Sequence, residues 1–162
     1  MNKENKKFNL KVNGNKVEIH SDIDTNELFI TIGTIIVKNI VSDLTKEIVI
    51  DGIGIYTKSV AIIKKISDDI VDMIEKVEDI KNVEYNIIID DKGVATITKN
   101  NEDKLSIKDL TEIIALVITG LSKGDKDKAV ELIKGFIVPS TEILSLIFFG
   151  KIDKDTKHNK EG

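Results

Sequence analysis

Two stretches of this chain alternate apolar and polar residues around a tight-turn sequence, and each is followed by apolar residues at helical spacing. That succession, met twice, constrains the fold more than any other feature. Residues 8–12 and 16–20 flank Asn13-Gly14-Asn15, and Asn-Gly between alternating segments specifies a β-hairpin. Asp24 or Thr25 can then cap a helix in which Leu28, Ile32, Ile35, Ile36, Ile40 and Leu44 recur, with its end predicted near Thr45. Residues 46–59 are ambiguous: 47–51 read as a buried strand, whereas Gly52 and Gly54 interrupt either kind of element. Residues 60–77 form an amphipathic pattern with Ile63, Ile66, Ile70, Met73, Ile74 and Val77 on one face. A second hairpin is predicted over 85–89 and 94–98 around Asp90-Asp91-Lys92-Gly93, then a helix from Ser106 or Lys108 to Leu121. A helix over 127–137 should be interrupted by Pro139, with Ser140 capping a last one over 141–149.

Aligning the halves exposes an internal repeat. At an offset of 77, Phe8-Asn9-Leu10 falls on Tyr85-Asn86-Ile87, Val12 on Ile89 and Val17 on Val94. At an offset of 82, Leu28 falls on Leu110, Ile32 on Ile114, Ile35 on Val117, Ile36 on Ile118 and Lys46 on Lys128. A hairpin cannot bury its apolar face alone, so two such units should share one core. The expected fold is α+β: two tandem β-hairpin–helix–helix repeats giving a pseudo-twofold, four-stranded antiparallel sheet packed against helices. The first unit spans 1–84, the second 85–152, and the polar tail 153–162 is predicted to be disordered. Because the ambiguous stretch matches 129–136 of the second unit, helix or turn is preferred there. Chance similarity between two amphipathic units in an Ile-rich chain is the competing account.

Composition narrows the chemistry. The 162 residues include no Cys, which excludes disulfides and thiolate chemistry, and only His20 and His158 supply imidazole. There are 24 Lys and no Arg, so the planar fork that reads guanine edges and clamps phosphates is missing. A net charge of -4 further weakens attraction to nucleic acid. Ile, Lys and Asn together supply 66 residues, a codon bias of low-GC bacteria such as clostridia, or of their phages. The polar start and the alternation after it do not read as a signal peptide. The apolar runs 28–37 and 143–149 fall short of the roughly 20 residues that span a bilayer, so no membrane helix and a cytoplasmic location are expected.

Candidate functional residues are few. Gly52-Ile53-Gly54 could let backbone approach a phosphate, but Thr57 stands where a GxGxxG motif needs glycine, and a structural turn is favoured. Beside it, Tyr56 and Lys58 could stack on and pair with an anionic ligand such as a nucleotide, against the alternative of a half-buried tyrosine and a solvated lysine. Asp68, Asp72 and Glu75 share a helical stripe that reads as a solvated face, and Gly124, Asp125 and Asp127 lack the spacing of a calcium loop. His20 has no Ser, Cys or acidic partner at motif spacing. No catalytic, metal or cofactor site is assigned. Ile143, Leu144, Leu146, Ile147, Phe148 and Phe149 nearly encircle the last helix, which must therefore be central or interfacial; a homodimer through Leu146 and Phe149 is expected.

The hairpin and following short helices of residues 8–45 resemble a class of small uncharacterised proteins from phages and prophages of low-GC Gram-positive bacteria. That resemblance implies a non-enzymatic accessory or host-interaction protein, one that could block a defence system. Glu47-Ile48, Gly52-Ile53-Gly54 and Val60 are similar in spacing to the strand-turn-helix of stage V sporulation protein S and the Alba superfamily of nucleic-acid-binding dimers. Lys128-Ala129-Val130, Gly135-Phe136 and Pro139-Ser140 look like a later stretch of the same family. The two matches lie about 60 residues too far apart for one copy of that fold, and Gly54-Ile55-Tyr56 replaces its basic Arg-Gly signature. The favoured expectation is a non-enzymatic protein that binds a host protein or a small anionic ligand; an Alba-like nucleic-acid binder is the alternative.

Overall fold

A computed structural model of the chain describes residues 5–14, 16–47, 52–77 and 82–150. The elements run β1 (Lys6–Asn13), β2 (Lys16–Ser21), α1 (Thr25–Glu47), α2 (Gly52–Glu75), β3 (Val83–Ile89), β4 (Ala95–Lys99), α3 (Ile107–Ser122) and α4 (Lys126–Phe149). The four strands form one antiparallel sheet in the order β2-β1-β3-β4, an α+β architecture in which both halves follow the order hairpin, helix, helix.

The alternation of β1 and β3 turns Phe8, Leu10, Val12, Val83, Tyr85, Ile87 and Ile89 into the core, all buried. In the central pairing Phe8 faces Ile87, Leu10 faces Tyr85, and Asn9 faces Asn86. Asn9 Nδ2 donates to Asn86 Oδ1 at 2.7 Å, so the two asparagines related by the offset of 77 meet between the halves.

The helices stand on the apolar face. Asp24 caps α1, its carboxylate accepting from the N–H groups of Asn26 and Glu27. Ser106 and Asp109 form a reciprocal capping box on α3. α3 is buried on nearly every side, from Leu110 through Ile118, and crosses the sheet so that its Gly120 lies against Val17 and Ile19 of β2. α2 and α4 pack on α1, on α3 and on each other rather than on strands, and of the two inner helices each packs more heavily on that of the other half. Gly33 makes the α1–α4 crossing close, because a Cβ there would meet Ser140 Oγ at 2.5 Å. Phe29 and Phe136 meet edge-to-face beside it, centroids 5.9 Å apart.

Several expected boundaries move. α4 runs unbroken through Pro139, and Ser140 is no cap: its hydroxyl donates to the Phe136 carbonyl at 2.8 Å, while Asp125 caps the helix. A proline presses on the carbonyl four residues back. That residue is Gly135, with open space where a side chain would stand. α2 begins at Gly52 rather than at residue 60 and ends at Glu75, so residues 52–59 are helical, as preferred. Residues 48–51 and the tail 153–162 lie outside the described residues. The second hairpin carries one more turn residue than the first: Asp90 N–H donates to the Val94 carbonyl, Gly93 adopts φ +82°, and β4 starts at Ala95. Ala95 faces Ile89 as Val17 faces Val12, so Val17 corresponds in register to Ala95, not to Val94.

Candidate functional site

Two features singled out separately in the sequence come together at one end of the helical layer. Tyr56, early in α2, meets Phe148 and Phe149, the last residues of α4, edge-to-face with centroids 5.8 and 5.0 Å away. Gly150 ends α4 in the left-handed conformation, φ +73°, and its N–H donates to the Leu146 carbonyl at 3.0 Å. Leu146 is 45% exposed, Ile147 43% and Phe149 56%, while α4 buries only Phe136, Ser140 and Leu144. Of the two roles open to this helix, the central one belongs to α3. The aromatic and aliphatic end of α4, with Tyr56 beside it, is an apolar surface facing outward.

Tyr56 and Lys58 take the favoured alternative of a half-buried tyrosine and a solvated lysine. Both lie in α2, and side chains two apart on a helix point to different sides. Tyr56 is half-buried against the phenylalanines and Lys58 is exposed. Likewise, Gly52 and Gly54 belong to the first turn of α2, so the phosphate-approaching loop and the strand-turn-helix similar to the sporulation protein are replaced, from residue 52 on, by helix.

On the sheet face away from the helices, His20, Asn9, Asn86 and Thr98 stand in one row across all four strands. Lys11 is flanked in the next row by Glu18 and Glu84, which breaks up any basic surface. Among the described residues, no group of three or more His, Asp or Glu is placed to hold a metal ion.

One polar network escaped the sequence reading. Tyr85, wholly buried, donates its hydroxyl to Glu112 Oε1 at 2.6 Å, and Lys99 Nζ sits 5.8 Å from the Tyr85 ring centroid while pairing with Asp109 at 2.9 Å. Burial, reinforced by the Glu112 hydrogen bond and charge, pushes the Tyr85 hydroxyl far above its usual pKa. Burial also acts to raise Asp109, but hydrogen bonds from the Ser106 N–H, Lys99 and the Ser106 hydroxyl outweigh it and hold the carboxyl below its ordinary value. The hydrogen bond to Asp109 raises Lys99 in turn. The buried phenol, hydrogen-bonded to Glu112, anchors α3 to β3. Ser106 followed by Asp109 was its one signal in sequence, a capping box.

By length and composition, α1 and α4 are each apolar enough to cross a membrane, with 39% and 17% of their most apolar windows buried within the protein. The apolar runs counted in the sequence were shorter because charged residues bound them, Glu27 and Lys38 around 28–37 and Glu142 before 143–149. No family model, curated protein or solved structure matches this chain.

Proposed function

We propose that this chain is a non-enzymatic binding protein, of the accessory, host-interaction kind implied by its resemblance to small phage and prophage proteins, and that it engages a protein partner through the α2–α4 tip. The observation that carries this reading is the exposed apolar end of α4 closed on one side by Tyr56. Large contiguous apolar surface is costly to leave in water, and aromatic residues dominate the energetic centres of protein interfaces. Separation of Tyr56 from Lys58 removes support for a small anionic ligand, and the interleaved Glu18, Lys11 and Glu84 favour no nucleic acid.

The test compares wild type with a Leu146→Ser/Phe149→Ser double variant whose circular dichroism matches it. Affinity capture with crosslinking from low-GC Gram-positive cells should retain a defined protein with the first and lose it with the second. Flotation of the wild type with lipid vesicles, or tip-dependent self-association with no other protein retained, would replace the partner reading.

A further inference from the structure

The two open edges of the sheet differ in a way that selects a partner for one of them. Along β4, even-numbered residues bond inward to β3: Asp90 N–H donates to the Val94 carbonyl, and Asn100 N–H to that of Glu84. Odd-numbered residues therefore direct their N–H and C=O groups outward. Lys99 shows this, exchanging both backbone hydrogen bonds with Glu102 after a two-residue turn in which Asn100 and Asn101 adopt φ of 50° and 68°. The chain thus lays down one rung of a fifth strand and leaves. No described residue bonds to the outward groups of Ala95 and Ile97, and an open groove of about 610 Å³ runs past Thr96, Thr98, Asn101 and Glu102 to Lys104.

We propose that this edge pairs with the same edge of a second copy, antiparallel, to give a continuous eight-stranded sheet. The occupant follows from register. Glu102 blocks pairing beyond Thr98, so the alignment that satisfies both free residues places Ala95 opposite Ile97 of the partner subunit, with Thr96 on the twofold axis facing Thr96 of the partner subunit. Threonine opposite threonine is a favourable cross-strand pair. On β2, whose outward residues are Val17, Ile19 and Ser21, the corresponding register centred on Glu18 would set it against Glu18 of the partner subunit, a like-charge pair that disfavours that register. Val94, 58% exposed and the most exposed large apolar side chain described, gains Thr98 of the partner subunit as a neighbour. Five residues a side make a small interface, so the dimer is weak and reversible, below the standard size of stable complexes.

This inference is independent of the α4 tip, and its test separates the two. Sedimentation equilibrium up to about 1 mM protein should show a reversible dimer. Thr96→Glu and Thr96→Lys, both at an exposed position, should each weaken self-association about fivefold or more, and their equimolar mixture should restore it. Phe149→Ser should leave it unchanged. In this cysteine-free chain, Thr96→Cys should crosslink under mild oxidation, since facing residues at a non-hydrogen-bonded site lie about 4.5 Å apart between Cα atoms, whereas Val71→Cys should not. A wild type monomeric at 1 mM, a dimer indifferent to Thr96→Glu, or absence of the Thr96→Cys crosslink overturns the proposal.

Discussion

The two halves fill corresponding core positions with different chemistry. Phe8 and Tyr85 correspond at the offset of 77, and both rings are buried against the helices. Position 112 on α3, which accepts the Tyr85 hydroxyl as Glu112, corresponds at the offset of 82 to Ile30 on α1, 47% exposed. The second half carries a polar handle together with its acceptor, and the first carries neither. The slot therefore requires ring volume, while a hydroxyl is tolerated only where a partner satisfies it. A parallel contrast exists on the inner helices. Gly33 meets Ser140 where α1 crosses α4, and the position on α3 that corresponds to Gly33 at the offset of 82 carries Ala115, which is also buried.

The largest effect is expected at that crossing. Gly33→Val should destabilise the protein by about 3 kcal/mol in urea unfolding, because its branched side chain must displace Ser140 and the turn of α4 behind it. Ala115→Gly, which gives α3 the residue that α1 has at the corresponding position, should cost only about 1 kcal/mol, from helix propensity. Equal losses from the two changes would erase the distinction.

Next in size is the exchange of core chemistry. Phe8→Tyr should cost about 2 kcal/mol, since it buries a hydroxyl in a half that has no carboxylate at the corresponding site. Adding Ile30→Glu should recover part of that loss if the halves are equivalent there, and thermal melts of the single and double variants measure the coupling. Tyr85→Phe should cost less, about 1.5 kcal/mol, because water can reach half-buried Glu112 once its donor is gone.

Titration separates the halves further. The folded-state pKa of Asp109 is depressed, so its contribution is present above the unfolded value near 4 and is lost as pH falls through the lower folded value. Lys99 is raised, so its contribution is full below about 10.4 and is lost as pH rises through its folded value. Asp109→Asn should flatten the acid limb of a stability–pH curve below about pH 4. A limb unchanged by the substitution would show that the Lys99–Asp109 pair does not set it. The smallest effect belongs to the exposed Lys6–Glu27 pair, 2.9 Å apart in the first half: Lys6→Ala should change stability by less than about 0.5 kcal/mol, measurable in the same urea series.

Much of this architecture was legible locally. Asn13-Gly14 announced a hairpin, Asp24 or Thr25 and Ser106 or Lys108 marked helix starts, and the alternation of β1 and β3 set their buried faces. Errors arose where a local signal met a remote neighbour or a one-residue count. Pro139 reads as a break, yet α4 runs through it, with Ser140 next to it packed against Gly33 of α1. Residues 52–59 read ambiguously because their glycines penalise helix, but Ile55 and Ser59 are buried and extend the packed face of α2. The extra turn residue before Ala95 shifted one strand by a position that periodicity could not register.

The candidate site shows the same division more sharply. Tyr56 and Phe149 were each conspicuous, as an aromatic beside a glycine turn and as part of an over-apolar helix, but nothing within either segment relates one to the other. Sequence by itself determined the elements and most of their buried faces, because hydrogen bonding and side-chain periodicity repeat within a few residues. Tertiary structure decided which inner helix each outer helix covers, that α3 rather than α4 is central, that Tyr85 needs Glu112, and that Tyr56 meets Phe149 across 93 positions of chain. Those are contacts between distant segments, set by how several apolar faces are buried at once, and no local pattern encodes that choice.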